Sequence, residues 1–101
     1  MFKSFRTYEL ARQFFKECQR SEVRGAIKNQ LDRAVLSVPL NLAEGRGRRT
    51  LTDQKYFFQI AYGSAEECKA ILELVTASPN EIMEMADSLC AHIYRLIQNA
   101  K

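Results

Sequence analysis

Apolar side chains recur at three- and four-residue spacing along most of the chain, and this period predicts α-helices rather than strands. The predicted helices run from about Ser4 to Gln19, from Ser21 or Glu22 to Gly45, from Thr50 to about Thr76, and from Ser78 nearly to the end of the chain. The connections between them are short, which favours antiparallel neighbours. We therefore expect residues 1–101 to form a single all-α domain, an antiparallel up-down-up-down four-helix bundle.

Two of the predicted helices begin with recognisable capping residues. Thr50 followed by Asp53 resembles a capping box at the start of the third helix. Ser78, with Pro79 and Glu81 after it, predicts the start of the fourth. The core stripe expected on the third helix consists of Phe57, Ala61, Ala65, Cys68, Ile71, Leu72 and Val75, and that of the fourth of Ile82, Met83, Ala86, Leu89, Cys90, Ile93, Leu96 and Ile97.

The second predicted helix is apolar on two opposite sides. At about 100° per residue, one stripe is formed by Leu31, Ala34, Val35, Val38 and Leu42, and the side roughly opposite carries Leu36, Leu40 and Ala43. The first stripe keeps its register across Pro39, so we expect a kinked, continuous helix rather than a break at Val38. One small domain cannot cover both sides, and the pattern therefore predicts a homo-oligomer.

A row of polar residues separates the two apolar stripes. It consists of Arg33, Ser37, Asn41 and Glu44, which stand above one another at three- and four-residue spacing. Arg33 and Glu44 are about three turns apart, so we expect their partners to come from another helix or subunit. The predicted oligomer interface comprises Arg33, Leu36, Ser37, Leu40, Asn41, Ala43 and Glu44. A catalytic role for Glu44 is the alternative, but Glu44 has no companion acid or histidine nearby.

Composition adds limits to this picture. The chain is 47% hydrophobic and 27% charged, which is typical of a folded helical domain. No apolar run approaches the roughly 18 residues that a membrane span requires, so we expect a cytoplasmic protein without membrane contact. Cys18, Cys68 and Cys90 have no ligand-like spacing and fall on apolar helix faces, where they are expected to be reduced core residues. We expect no metal and no cofactor.

The middle of the chain resembles a known family. The residues that carry the likeness are Gln30-Leu31-Asp32-Arg33-Ala34, Ser37-Val38-Pro39, Asn41-Leu42-Ala43-Glu44-Gly45, and then Ala61, Gly63-Ser64 and Glu67. They resemble the small bacterial four-helix-bundle proteins called 23S rRNA-intervening-sequence proteins, which are encoded inside insertions of large-subunit ribosomal-RNA genes or elsewhere in the chromosome. The resemblance implies an up-down bundle that assembles into a ring of five. It also implies similarity in fold to the basic, nucleic-acid-binding accessory proteins of diversity-generating retroelements.

The connection after the second helix is strongly basic. Arg46, Arg48 and Arg49, helped by Lys55, are the candidate nucleic-acid-binding residues, because guanidinium groups bind phosphates without reading bases. The net charge is +3 for one chain, and five copies would carry 5 × 3 = +15. The competing interpretation is that these arginines only complement a helix end and keep the protein soluble.

Three functions from different classes follow from these features. The main prediction is a non-enzymatic homo-oligomeric bundle, a pentamer by family resemblance, that binds RNA, DNA or a nucleic-acid-handling partner through its basic rim. The alternative is a structural protein–protein interaction module with no nucleic-acid role. The third is a hydrolase that uses Glu44, which is disfavoured because the sequence has no phosphate-binding glycine loop, nucleophile–histidine pair or metal-ligand cluster.

Overall fold

The computed structural model describes residues 5–75 and 80–99, and within these ranges the chain is all-α, with no strand. The described helices are α1 (Arg6–Gln19), α2 (Gly25–Arg46), α3 (Leu51–Val75) and α4 (Glu81–Asn99). They confirm the four predicted helices. None of the helices in this part of the chain combines the length and the apolarity that a bilayer crossing demands.

Helix α2 begins three or four residues later than the sequence pattern predicts. Ser21 does not cap it, because the backbone N–H of Ser21 donates to the carbonyl of Cys18 and extends the last turn of α1 (3.1 Å). Arg24 is extended, and Gly25 has a φ of +71°, in the left-handed region that glycine adopts without steric cost. The chain therefore changes direction at Gly25, and the prediction of a start at Ser21 or Glu22 is wrong.

The caps of α3 and α4 are side-chain oxygens bonded to free helix N–H groups. The backbone N–H of Asp53 donates to Oγ1 of Thr50 (3.1 Å), so the predicted threonine cap of α3 is confirmed. At α4 the capping residue is Asn80, whose Oδ1 accepts from the backbone N–H of Met83 (3.0 Å). The predicted cap at Ser78 lies outside the described residues, and α4 starts at Glu81.

The four helices enclose one apolar core. Helix α2 packs against α1 and α3, and α4 packs against the same two helices, which is consistent with a bundle. The buried apolar residues of α2 are Leu31, Ala34, Val35, Val38 and Leu42, the stripe that the sequence predicts, together with the helix-interior Pro39. Because α2 is continuous from Gly25 to Arg46, the alternative break at Val38 does not occur.

The core face of α3 differs from the prediction in its first turns. Phe58 is buried and Phe57 only half-buried, whereas the sequence pattern assigns Phe57 to the core. The reason lies on α2, where a Cβ added to Gly45 would stand 2.6 Å from Cε1 of Phe58. The missing side chain of Gly45 therefore makes the space into which the Phe58 ring packs. At the far end of the predicted stripe, Val75 is exposed.

The three cysteines are buried free thiols, as predicted. Burial raises the pKa of the Cys18 and Cys90 thiols to about 12, and it also raises the pKa of the Cys68 thiol. Because the thiolate is the reactive form, we expect an aromatic disulfide reagent at pH 8 to react with the folded protein more than about a hundredfold more slowly than with the denatured chain. Rapid labelling of a thiol without denaturant would contradict this burial.

Candidate assembly face and basic rim

The side of α2 that faces away from the core carries two uncovered leucines. Leu36 is 45% exposed and Leu40 is 58% exposed, whereas Val35 and Val38, on the opposite side of the same helix, are completely buried. Ala43, the third member of the predicted outer stripe, is half-buried. The single chain thus leaves two leucines of α2 in contact with water.

The polar row beside these leucines is partly satisfied by α3. The hydroxyl oxygens of Ser37 and Ser64 lie 2.8 Å apart, and the side-chain amide of Asn41 donates to the carbonyl and to the hydroxyl of Ser37 (2.9 and 3.0 Å). Ser37, Ser64 and Asn41 are half-buried. Another helix of the same chain thus supplies a partner for Ser37.

The two charged ends of the polar row have different surroundings. Arg33 is exposed, makes no ion pair within the described residues, and lines a groove with Glu67, whose carboxylate accepts from the side-chain amide of Gln30. Glu44 instead pairs with Arg48, four residues further along the chain, at 2.5 Å, so the expectation that its partner comes from another helix or subunit is wrong. Both groups of that pair are about half exposed, so the pair contributes at most about 1 kcal/mol to folding.

The basic rim, defined as Arg46, Arg48, Arg49 and Lys55, lies where α2 ends and α3 begins. Arg48 makes three contacts, two through its side chain and one through its backbone. Its guanidinium pairs with Glu44 and lies 4.6 Å from the centre of the Phe57 ring, a cation–π contact, and its carbonyl accepts from the side-chain amide of Gln54 (2.9 Å). The backbone of the loop at Arg48 is therefore tied to α3.

The other three cations of the basic rim differ in how far they are engaged. The guanidinium of Arg46 lies 5.0 Å from the centre of the Phe5 ring. Arg49 is exposed and Lys55 half-buried, and neither makes a hydrogen bond or ion pair with any described residue. Two of the four predicted phosphate-binding side chains thus already have partners in the chain, and two are available to a ligand.

The model of one protein family matches nearly the whole chain. That family is described as 23S rRNA-intervening sequence protein, and the match covers residues 3–99. The chain belongs to this family. No curated protein matches the chain.

Several of the residues that carry the resemblance to the 23S rRNA-intervening sequence proteins connect α2 to α3. In this member of the family, the contacts between Ser37 and Ser64, between Gln30 and Glu67, and between Gly45 and the adjoining core ring all join α2 to α3. Among the described residues, no group of three or more His, Cys, Asp or Glu side chains is arranged to hold a metal ion. The contacts of Ser37 and Gly45 hold α2 against α3.

Sequence reasoning missed one apolar feature of α3. Tyr56 and Ile60 of α3 are exposed, with Tyr56 60% accessible to solvent. They lie four residues apart and off the stripe that continues through Ala61, Ala65 and Cys68, so helical spacing could have separated them from the core. Because three aromatic residues follow one another at positions 56–58, the sequence pattern alone did not separate buried from exposed rings.

Proposed function

We propose that this 23S rRNA-intervening sequence protein is a cytoplasmic, non-enzymatic homo-oligomer that binds RNA or DNA through its basic rim. The observation that carries the proposal is the exposure of Leu36 and Leu40 on a helix whose opposite stripe is completely buried. Full burial of a leucine is worth about 1.5–3 kcal/mol, so covering two per copy favours association. A second copy of the chain supplies that cover, and the family resemblance implies five copies.

The proposed bundle is antiparallel, with α2 bent at Pro39. Two contacts between α1 and α2 support opposite directions. Arg46 at the end of α2 lies over Phe5 at the start of α1, whereas Lys28 near the start of α2 donates to the carbonyl of Cys18 at the end of α1. The bend is expected because Pro39 removes one helical hydrogen bond and crowds the preceding turn.

The nucleic-acid role rests on charge and on its repetition in the oligomer. Each chain carries a net charge of +3, and the loop that concentrates its arginines joins two long helices at one end of the molecule. In a closed ring this loop would occur once per copy around one edge, which concentrates positive potential there. Arginine side chains at this edge would contact phosphate groups rather than bases, so binding should weaken as salt increases and should depend little on the nucleotide sequence.

Arg49→Ala is the substitution that tests the rim most cleanly. Because Arg49 is exposed and has no partner among the described residues, its loss should leave folding unchanged. We expect each Arg49 that contacts a phosphate of single-stranded RNA to account for about 0.7 of the slope of log affinity against log salt, and the variant to lose that share. Fluorescence anisotropy at several salt concentrations measures both affinity and slope.

Arg24→Ala is the matched control for that measurement. Arg24 is also an exposed arginine, but it precedes the opposite end of α2. It should leave affinity and salt slope at their original values. Equal effects of the two substitutions would mean that only overall charge matters, and no effect of either would leave the basic rim without a role in binding.

The engagement of Arg46 and Arg48 favours a second function, a structural protein-interaction module. The arginines that lie on Phe5 and Phe57 stabilise the rim without any ligand. In that case a protein partner would dock on the apolar surface, and its recovery in pull-down experiments should survive high salt that releases nucleic acid. Glu44, which the hydrolase hypothesis requires, is a half-exposed partner of Arg48, and this environment favours a structural role.

A further inference from the structure

Tyr56 places an exposed aromatic ring next to the basic rim. It is 60% exposed although it lies in the second turn of a long helix, and its ring meets the Phe57 ring edge-on with the centres 5.1 Å apart. The guanidinium of Arg48 also lies against Phe57, 4.6 Å from the ring centre. Tyr56, Phe57 and Arg48 thus form a continuous aromatic and cationic layer on the surface.

Proteins that bind single-stranded nucleic acids combine exposed aromatic rings with nearby cations in this way. An aromatic face accepts any unpaired base by stacking, and nearby cations bind the phosphates that flank it. Tyr56 follows the start of α3 at Leu51 by five residues, which is about 8 Å along the helix axis. Arg49, the available arginine, lies two residues before that start, so a ring and a guanidinium without a partner among the described residues lie within the reach of one short segment of strand.

We propose that Tyr56 is a stacking site for an unpaired base, which makes single-stranded RNA or DNA the class of nucleic acid that the basic rim binds. This inference rests on the proposed function, because stacking alone does not hold a strand. A duplex keeps its bases stacked inside and offers the ring no face, so it gains only the phosphate contacts. The exposed ring of Tyr56 favours a single-stranded ligand over a duplex, because a surface that binds only through charge has no use for an exposed aromatic ring.

The test compares Tyr56→Leu with the unchanged protein on an oligoadenylate of about 12 nucleotides and on the corresponding blunt duplex. We expect Tyr56→Leu to weaken single-strand binding about 5- to 150-fold while the salt slope and duplex binding stay the same. Tyr56→Phe, which keeps the ring, should retain single-strand affinity. The matched control is Tyr94→Leu, which changes a tyrosine that is 53% exposed and lies against Tyr62 on the α3–α4 side.

Each outcome of this test decides a different statement. If single-strand affinity is equal with and without the Tyr56 ring, the stacking site is overturned while the salt-dependent rim stands. If Tyr56→Leu lowers the mass of the oligomer together with its affinity, Tyr56 belongs to a contact between copies and the stacking site is again overturned. If the unchanged protein binds neither probe at low salt, the nucleic-acid role itself fails.

Discussion

Replacing Leu40 with glutamate is expected to convert the proposed oligomer into single chains. Leu40 is 58% exposed on the outer side of α2, so the folded single chain tolerates a carboxylate there. In the proposed contact between copies the same carboxylate would lose its water without gaining a partner, a cost of several kcal/mol per subunit contact. Light scattering coupled to size-exclusion chromatography should show the mass fall to that of one chain, and Leu36→Glu should act in the same direction.

A control for this prediction needs the same chemistry away from α2. Tyr94→Glu introduces the charge on α4 at a residue that is 53% exposed, so it tests whether an added carboxylate alone disperses the copies. Its mass should equal that of the unchanged protein, and far-ultraviolet circular dichroism should give the same helix content for all variants. An unchanged protein that elutes as one chain at every concentration would refute the assembly on which the prediction rests.

Replacing Gly45 with alanine is expected to lower the free energy of unfolding by about 1–2 kcal/mol. The new methyl group would stand 2.6 Å from Cε1 and 2.8 Å from Cδ1 of Phe58, and 3.1 Å from the carbonyl oxygen of Gln54. Phe58 is buried and also packs on Phe5, with ring centres 6.4 Å apart, so its ring has little room to withdraw. Overpacking costs about 1–3 kcal/mol, and the better helix propensity of alanine returns up to about 1 kcal/mol.

The melting temperature measures this loss, with Gly47→Ala as the control. A domain of this size loses about 4–8 °C per kcal/mol. At Gly47 an added Cβ has no neighbour nearer than 3.7 Å and the backbone is already right-handed helical, so alanine should raise the melting temperature slightly. Combining Gly45→Ala with Phe58→Leu should cost less than the sum of the two separate losses. Strict additivity would show that the two sites do not meet.

The fold could be predicted from the sequence wherever one helix face decides the outcome. The α2 stripe from Leu31 to Leu42 is buried as predicted, because within one chain an apolar stripe leaves water only by facing the bundle core. The choice between Phe57 and Phe58 could not be made, because both lie one turn before Ala61 and the space that selects Phe58 is provided by a glycine on another helix. Local spacing contains no information about that gap.

The helix ends and the candidate site also divide into features that depend on local sequence, which could be predicted, and features that depend on backbone conformation or helix packing, which could not. The threonine cap of α3 depends on residues three apart and was predictable, whereas the start of α2 depends on the left-handed backbone of Gly25. The sequence pattern places the arginine-rich connection between the second and third helices, where the structure has it, but the arrangement of Arg48 between an acid and a ring requires the positions of both helices. The exposure of Tyr56 likewise follows from which ring fills the core.

The serine pair and the glycine gap together restrict how α2 and α3 can move. Ser37 meets Ser64, and Gly45 receives Phe58 about 12 Å further along the same helix axis. Sliding one helix by a turn would separate the hydroxyls and drive the phenyl ring into side chains, so these two contacts oppose any sliding of α2 on α3. The outer leucines of α2 then keep one orientation relative to the core, so contacts between copies in the proposed oligomer would repeat with one rotation, which gives a ring of a single size where that rotation divides a full turn.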